Sequence, residues 1–201
     1  GHVKGTTYVG GLVGMNGGVV WHSYSTGLVS GTNTVGGLLG SNNGTVTASF
    51  WDRETSGRNN GVGSGNTLGI APLDTEAMMH ASSFASEGWD FANIWFLIEG
   101  ETRPFLRSEW STTIRNAHQL QLMAMDLGAS YTLAGDIDLS DVFGPSGMWS
   151  SRGFVPIGNG TSAFTGTFDG AGHVIRGLFI DRGSQDYVGL FGWVGGSGSV
   201  A

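Results

Sequence analysis

Apolar residues in positions 1–51 fall in short stretches, around Val3, over Val9–Val13 and over Val19–Tyr24, with Gly, Asn and Ser between them. Each stretch is too short for a helix and reads as a strand closed by a corner, so one unit carries three strands and three corners. Shifting Gly1–Ser25 by 26 positions lays it on Gly27–Trp51 without a gap, and 13 of the 25 pairs are identical. A unit this small cannot bury its own apolar face and must stack on a neighbour, its strands pairing in parallel at a spacing of about 4.8 Å. The pattern therefore predicts a mainly β chain built as a β-solenoid. Val3 over Val29, Leu12 over Leu38 and Val20 over Val46 are expected to form inward ladders, with Asn16 over Asn42 as an amide ladder. The glycines are expected to supply positive φ at the corners.

Further along, Val188-Gly-Leu-Phe-Gly192 repeats the core pattern of Val9–Gly14, with Gly196 and Val200 following it. Tyr131–Leu139, Phe154–Ile157, Ala163–Phe168 and Val174–Ile180 read as short strands of divergent units, divided by turns at Asn159-Gly160 and Asp169-Gly170. The region between is different. Residues 52–70 read as a loop, Asp74 or Thr75 can cap a short helix running to Phe84, and Ile94–Ile98 and Pro104–Leu106 flank a turn. Asn116 caps a second short helix that carries Ala117, Leu120, Met123 or Ala124 and Leu127 on one face before Gly128. These boundaries divide the chain into solenoid units over 1–51, a connector over 52–110, and a capping helix with a further solenoid segment over 111–201.

Composition narrows the partners. The chain has 37 glycines and only 4 prolines, without a third-residue period, and 39% hydrophobic content, so it is neither collagen-like nor disordered. Nine basic against sixteen acidic residues give a net charge of −7, and Lys4 is the sole lysine, which leaves no basic stripe for nucleic acid or anionic membrane. The absence of cysteine removes disulfides and thiol chemistry and says nothing of compartment. No apolar run is long enough to span a bilayer, so membrane insertion is not expected. With a repeat already under way at residue 1 and no initiator Met, the sequence reads as a segment of a longer chain.

The segments Val9-Gly-Gly-Leu-Val-Gly14 followed by Ser23-Tyr-Ser-Thr-Gly27, and Val35-Gly-Gly-Leu-Leu-Gly40 followed by Ser49-Phe-Trp51, resemble the GLUG repeat of filamentous-haemagglutinin-like bacterial surface adhesins. Gly135–Leu139, Pro156–Gly158, Phe164–His173 and Ile175–Leu178 are similar to the segment that precedes such repeats, and residues 52–110 to the one that closes them. The resemblance implies a right-handed parallel β-helix with two short helices in a connecting region. It also implies an extracellular location at the bacterial cell surface.

Parallel β-helices also host polysaccharide lyases and glycosidases. Asp136 and Asp138, two apart on a strand, could supply half of a calcium or acid–base site, with Asp141 and Asp169 nearby. The competing reading is that Asp138 and Asp141 make turn hydrogen bonds and that Asp169-Gly170 is a hairpin-type turn. His2, His22, His80, His118 and His173 never fall at H-x-x-x-H spacing, and neither a G-x-S-x-G elbow nor a P-loop is present. Trp21 and Trp149 are the best candidates for a glycan contact. Asn43-Gly44-Thr45 and Asn159-Gly160-Thr161 match the glycosylation triplet, although Asn-Gly has its own reason to sit at a turn.

The expectation is thus a structural and adhesive segment without catalytic residues, metal or cofactor. Its partners are a receptor or glycan on a host or neighbouring cell, with end-to-end self-association open. The alternatives are a polysaccharide-processing enzyme using Asp136 and Asp138, and a self-assembling extracellular filament subunit.

Overall fold

The first repeat folds into strands β1 (His2–Lys4), β2 (Thr7–Gly10), β3 (Val13–Asn16), β4 (Val19–Trp21) and β5 (Tyr24–Ser25). The second repeats the order as β6 (Leu28–Ser30), β7 (Asn33–Gly36), β8 (Leu39–Asn42), β9 (Thr45–Thr47) and β10 (Ser49–Asp52). Five short strands thus replace the three expected per unit. The Val9–Val13 stretch breaks at Gly11-Leu12, where Leu12 and Val13 both donate their N–H to the carbonyl of Leu38. Each strand pairs in parallel with its counterpart 26 residues on, with Val3 facing Val29, Asn16 facing Asn42 and Val20 facing Val46. The computed structural model describes all residues from Gly1 to Ala201.

The parallel pairing does not stop at residue 51, which corrects the first boundary read from the sequence. β11 (Val62–Gly65) pairs with β8, and β12 (Ile70–Leu73) pairs with β10. The chain divides into one unit of residues 1–92, 97–104 and 145–147 and a second of 93–96, 105–144 and 148–201, in place of 1–51, 52–110 and 111–201. The first unit buries Leu38, Leu39, Val46, Trp51 and Val62 together. Leu12, expected to be inward, is 45% exposed while Leu38 is fully buried, and Val3 is 38% exposed against 2% for Val29. The cause is coverage: β8 lies between β3 and β11, and Val29 is bonded by Ser56 and Arg58 from the following segment, whereas β3 and β1 have a neighbour on one side only.

Glycine does not make the corners of the two repeats. The left-handed residues there are Tyr8, His22, Thr34 and Ala48, none of them glycine, which overturns that expectation. Met78 N–H does bond the Asp74 carbonyl, but the helix α1 covers only Ser82–Ala85 and has no side-chain cap.

In the second unit, β13 (Trp95–Phe96) pairs antiparallel with β14 (Phe105–Leu106). A parallel sheet runs in the order β15 (Thr113–Ile114), β16 (Ser130–Leu133), β18 (Thr167–Asp169) and β20 (Ser199–Val200). β17 (Ile137–Asp138) pairs in parallel with β19 (Ile175–Arg176), so the turn at Asp169-Gly170 leads to a different sheet and not to a hairpin. Phe154–Ile157 forms one bridge instead of a strand, Ile157 meeting Phe191. Helix α2 (Ala117–Leu122) starts at Asn116, whose side chain accepts the N–H of Gln119, and the chain winds on as a tighter turn over Met123–Met125. Its apolar face joins Ile114, Tyr131, Leu133, Trp149, Phe154, Ile157, Phe164 and Phe168 in a single core. The chain is therefore mainly β, with two short helices.

Candidate functional site

Trp21 ends β4 and is 65% exposed, opposite Thr47 on the neighbouring strand. The left-handed turn at His22 places the imidazole beside it, ring centroids 5.3 Å apart, and the buried Trp89 lies 6.0 Å beyond His22. Trp89 is anchored by its Nε1–H to the Ala48 carbonyl at 2.9 Å and touches Tyr24 at 6.1 Å. Trp21 therefore stands at the outer end of an aromatic row whose inner end is fixed in the first unit. An exposed indole held this way offers a broad, weakly polar face.

Trp149, the other predicted contact, is 3% exposed and cannot meet a glycan. It sits among Phe105, Phe143 and Phe154, and its Nε1–H donates to Gln121 Oε1 at 2.7 Å. That same oxygen accepts the N–H of Val155 at 2.9 Å, while Gln121 Nε2 donates to the Val155 carbonyl at 3.0 Å. The buried amide is what allows an indole and an irregular backbone segment to share one apolar core.

Asp136 and Asp138 do share the outward face, alternating with the buried Ile137 and Leu139. Asp136 accepts the N–H of Val174 at 3.0 Å, lies 3.2 Å from Arg176 and 3.5 Å from His173. The bond from Val174, aided by the Arg176 charge, holds its carboxyl below the ordinary aspartate value. Asp138 is lowered in the same direction, chiefly by its bonds with Ser140. The Asp138–Ser140 bond is of the turn-making kind, whereas the Asp136–Val174 bond links segments 38 residues apart. With Arg115, Asn116, Ala117, His118 and Val142 the two aspartates line an open cleft of about 450 Å³. His118 Nδ1 meets Glu109 at 2.7 Å. No group of three or more His, Asp or Glu side chains converges at metal-binding spacing.

The ladder residues form two kinds of contact. Asn16 Nδ2 donates to Asn42 Oδ1 at 2.8 Å, and Asn42 Nδ2 donates on to the Asn66 carbonyl at 2.7 Å, so the amide column reaches the third tier. Val29, Leu38 and Val46 are buried, and Val20 is half-buried. Missed by the sequence reading was the fully buried pair Asp52–Arg103, 2.5 Å apart. Arg103 also donates to the carbonyls of Pro145 and Gly147, and Asp52 accepts from Thr75 Oγ1 and from the N–H groups of Glu54 and Thr55.

No family model matches the chain, and no solved structure matches it. A stretch of 67 residues, 31% of the chain, is 51% identical to halomucin of Haloquadratum walsbyi and spans 1% of that protein. A stretch of 73 residues, 36% of the chain, is 40% identical to a putative Gly-rich membrane protein of Evansella cellulosilytica and spans 8% of it. The chain thus matches a small fraction of each of these curated relatives.

Proposed function

We propose that this chain is a structural and adhesive segment of an exported surface protein: a GLUG-type right-handed β-helix that holds side-chain groups towards a receptor or glycan. One observation carries the reading. Backbone pairing, the amide column and the left-handed corners all recur at one 26-residue spacing, while Trp21 projects from that frame on a fixed aromatic row. A rigid repeating scaffold that presents an exposed indole suits attachment better than turnover. The names of the two partial relatives, a halomucin and a putative membrane protein, support placement at the cell surface or membrane. The same reading allows copies to join end to end, as in a filament. Beads coated with the protein should be retained on glycan-bearing cell surfaces, and Trp21→Ala should reduce retention several-fold. Retention no greater than on uncoated beads would overturn the reading.

A second reading, polysaccharide processing, is favoured by the cleft in which Asp136, Asp138, Arg115 and His118 meet. The direction of both carboxyl shifts weighs against it, because an acid that must donate a proton at neutral pH needs its pKa raised. Product analysis on acidic and neutral polysaccharides, with Asp136→Asn as control, separates the two. A melt with and without calcium and chelator tests the metal.

A further inference from the structure

The geometry points to a saccharide-binding platform in the second unit, formed by Tyr187 and Trp193, for neutral pyranose chains; it deepens the adhesive reading and rests on it. The two rings stack at an interplanar angle of 25° with centroids 5.9 Å apart. That separation exceeds the roughly 3.5–4 Å of carbon contact, so the rings do not cover one another fully. They are 52% and 42% exposed, although burial of such rings is what ordinarily rewards a fold.

Their positions are held from beneath. Tyr187 occupies a left-handed corner, φ 61°, as Tyr8 and Thr34 do ahead of the matching Val-Gly pairs. Its ring lies over Gly160, where a Cβ would come within 2.7 Å of Cε2. The turn that contains Gly160 is itself fixed: Asn159 Oδ1 accepts the N–H groups of Thr161 and Ser162. The Trp193 carbonyl accepts the N–H of Phe164 at 2.8 Å, which ties the second ring's backbone to the same turn region.

The rim decides the occupant. The Tyr187 hydroxyl, Trp193 Nε1–H, Asn159 Nδ2 and Ser162 hydroxyl have no partner within the protein, and all are neutral. A flat apolar face edged by uncharged donors and acceptors matches a pyranose ring, whose C–H face stacks and whose equatorial hydroxyls bond outward. A peptide partner would leave those donors to chance.

The test uses the full chain with cellotetraose, chitotetraose and a β-galactan tetramer as probes, read by titration calorimetry and saturation-transfer NMR. At least one probe should bind with a dissociation constant on the order of millimolar or tighter. Trp193→Ala should weaken it roughly tenfold, Trp193→Phe should restore most of the loss, and the melting temperature should stay unchanged. No binding by any probe, or equal binding by Trp193→Ala, overturns the platform. If binding instead follows Trp21→Ala, the platform falls while the adhesive reading stands. Loss of bead retention with saccharide binding intact would overturn the adhesive reading and leave the platform.

Discussion

At Tyr8 and Thr34, and again at His22 and Ala48, the backbone passes through the left-handed region at positions 26 apart, and none of the four is glycine. The conformation costs an ordinary residue about 1 kcal/mol or more, so its repetition shows that stacking in register outweighs local preference. The glycines answer a different demand. A Cβ on Gly14 would come within 2.8 Å of the Tyr8 carbonyl oxygen, and one on Gly192 within 2.7 Å of that of Tyr187, so in these two Val-Gly motifs the last glycine lies on the corner that precedes it, while one on Gly40 would meet Gly14, Tyr8 and Val9 of the neighbouring tier. A Cβ on Gly36 would meet backbone atoms of Leu39, Gly61 and Gly63 at once. Gly36→Ala should therefore destabilise the protein by several kcal/mol, because backbone cannot step aside. Thr34→Gly should have the opposite sign: relief of the strained β-branched corner exceeds the added freedom of the unfolded chain, for a gain of about 0.5–1 kcal/mol. Urea midpoints of the two variants check both signs. Asp136 gives a pH test. Its folded pKa is depressed, so its contribution is full above the ordinary aspartate value of 3.8 and disappears as pH falls through the lower folded value. Asp136→Asn should flatten the acid limb of the melting curve in that window, and salt should blunt the difference.

Elements are held by polar groups as much as by apolar ones. Gln121 in α2 satisfies the Trp149 indole and both backbone groups of Val155, so Gln121→Ala should cost about 2–4 kcal/mol by leaving buried donors unpaired. Arg103→Ala should cost about 3–5 kcal/mol, because Asp52 would stay buried without its counter-charge. Thermal melts of the two variants read these costs. Neither group was legible in the sequence: Gln121 lies outside the Ala117, Leu120 and Met123 stripe, and Asp52 and Arg103 are joined only by the fold. The strand register was legible because identical residues recur every 26 positions. It faded after Asp52, where Val62 faces Leu39 and Ile70 faces Ser49, so the spacing shrinks to 23 and then 21. Parallel pairing needs backbone alone, and a tier can keep its bonds after its side-chain pattern is gone. Trp149 misled because composition does not tell an indole on a surface from one whose N–H has a buried partner. Tyr187 and Trp193 were passed over because their pairing needs the turn at Gly160 to bring them together.

In a chain of these 201 residues the parallel tiers leave β1 to β5 with a strand partner on one side only, and Leu12, Met15, Val19 and Trp21 are exposed there. A sheet edge that is both apolar and hydrogen-bond-competent invites a further tier, and β11 and β12, each paired on one side only, offer the complementary edge. Pairing of one copy's β11 and β12 with another's β3 and β5 is heterologous and does not close, so it builds chains of copies, not dimers. Against it stands the net charge of −7 on every copy, a repulsion that salt screens. The weight-average mass from sedimentation should therefore rise with protein concentration and rise further with ionic strength. Leu12→Lys places a charge on the exposed edge and should abolish the rise with little loss of stability, whereas Leu38→Lys should unfold the first unit because that side chain is enclosed. A strict monomer at every concentration and salt would refute the edge-pairing account. Association that survives Leu12→Lys would place the contact elsewhere.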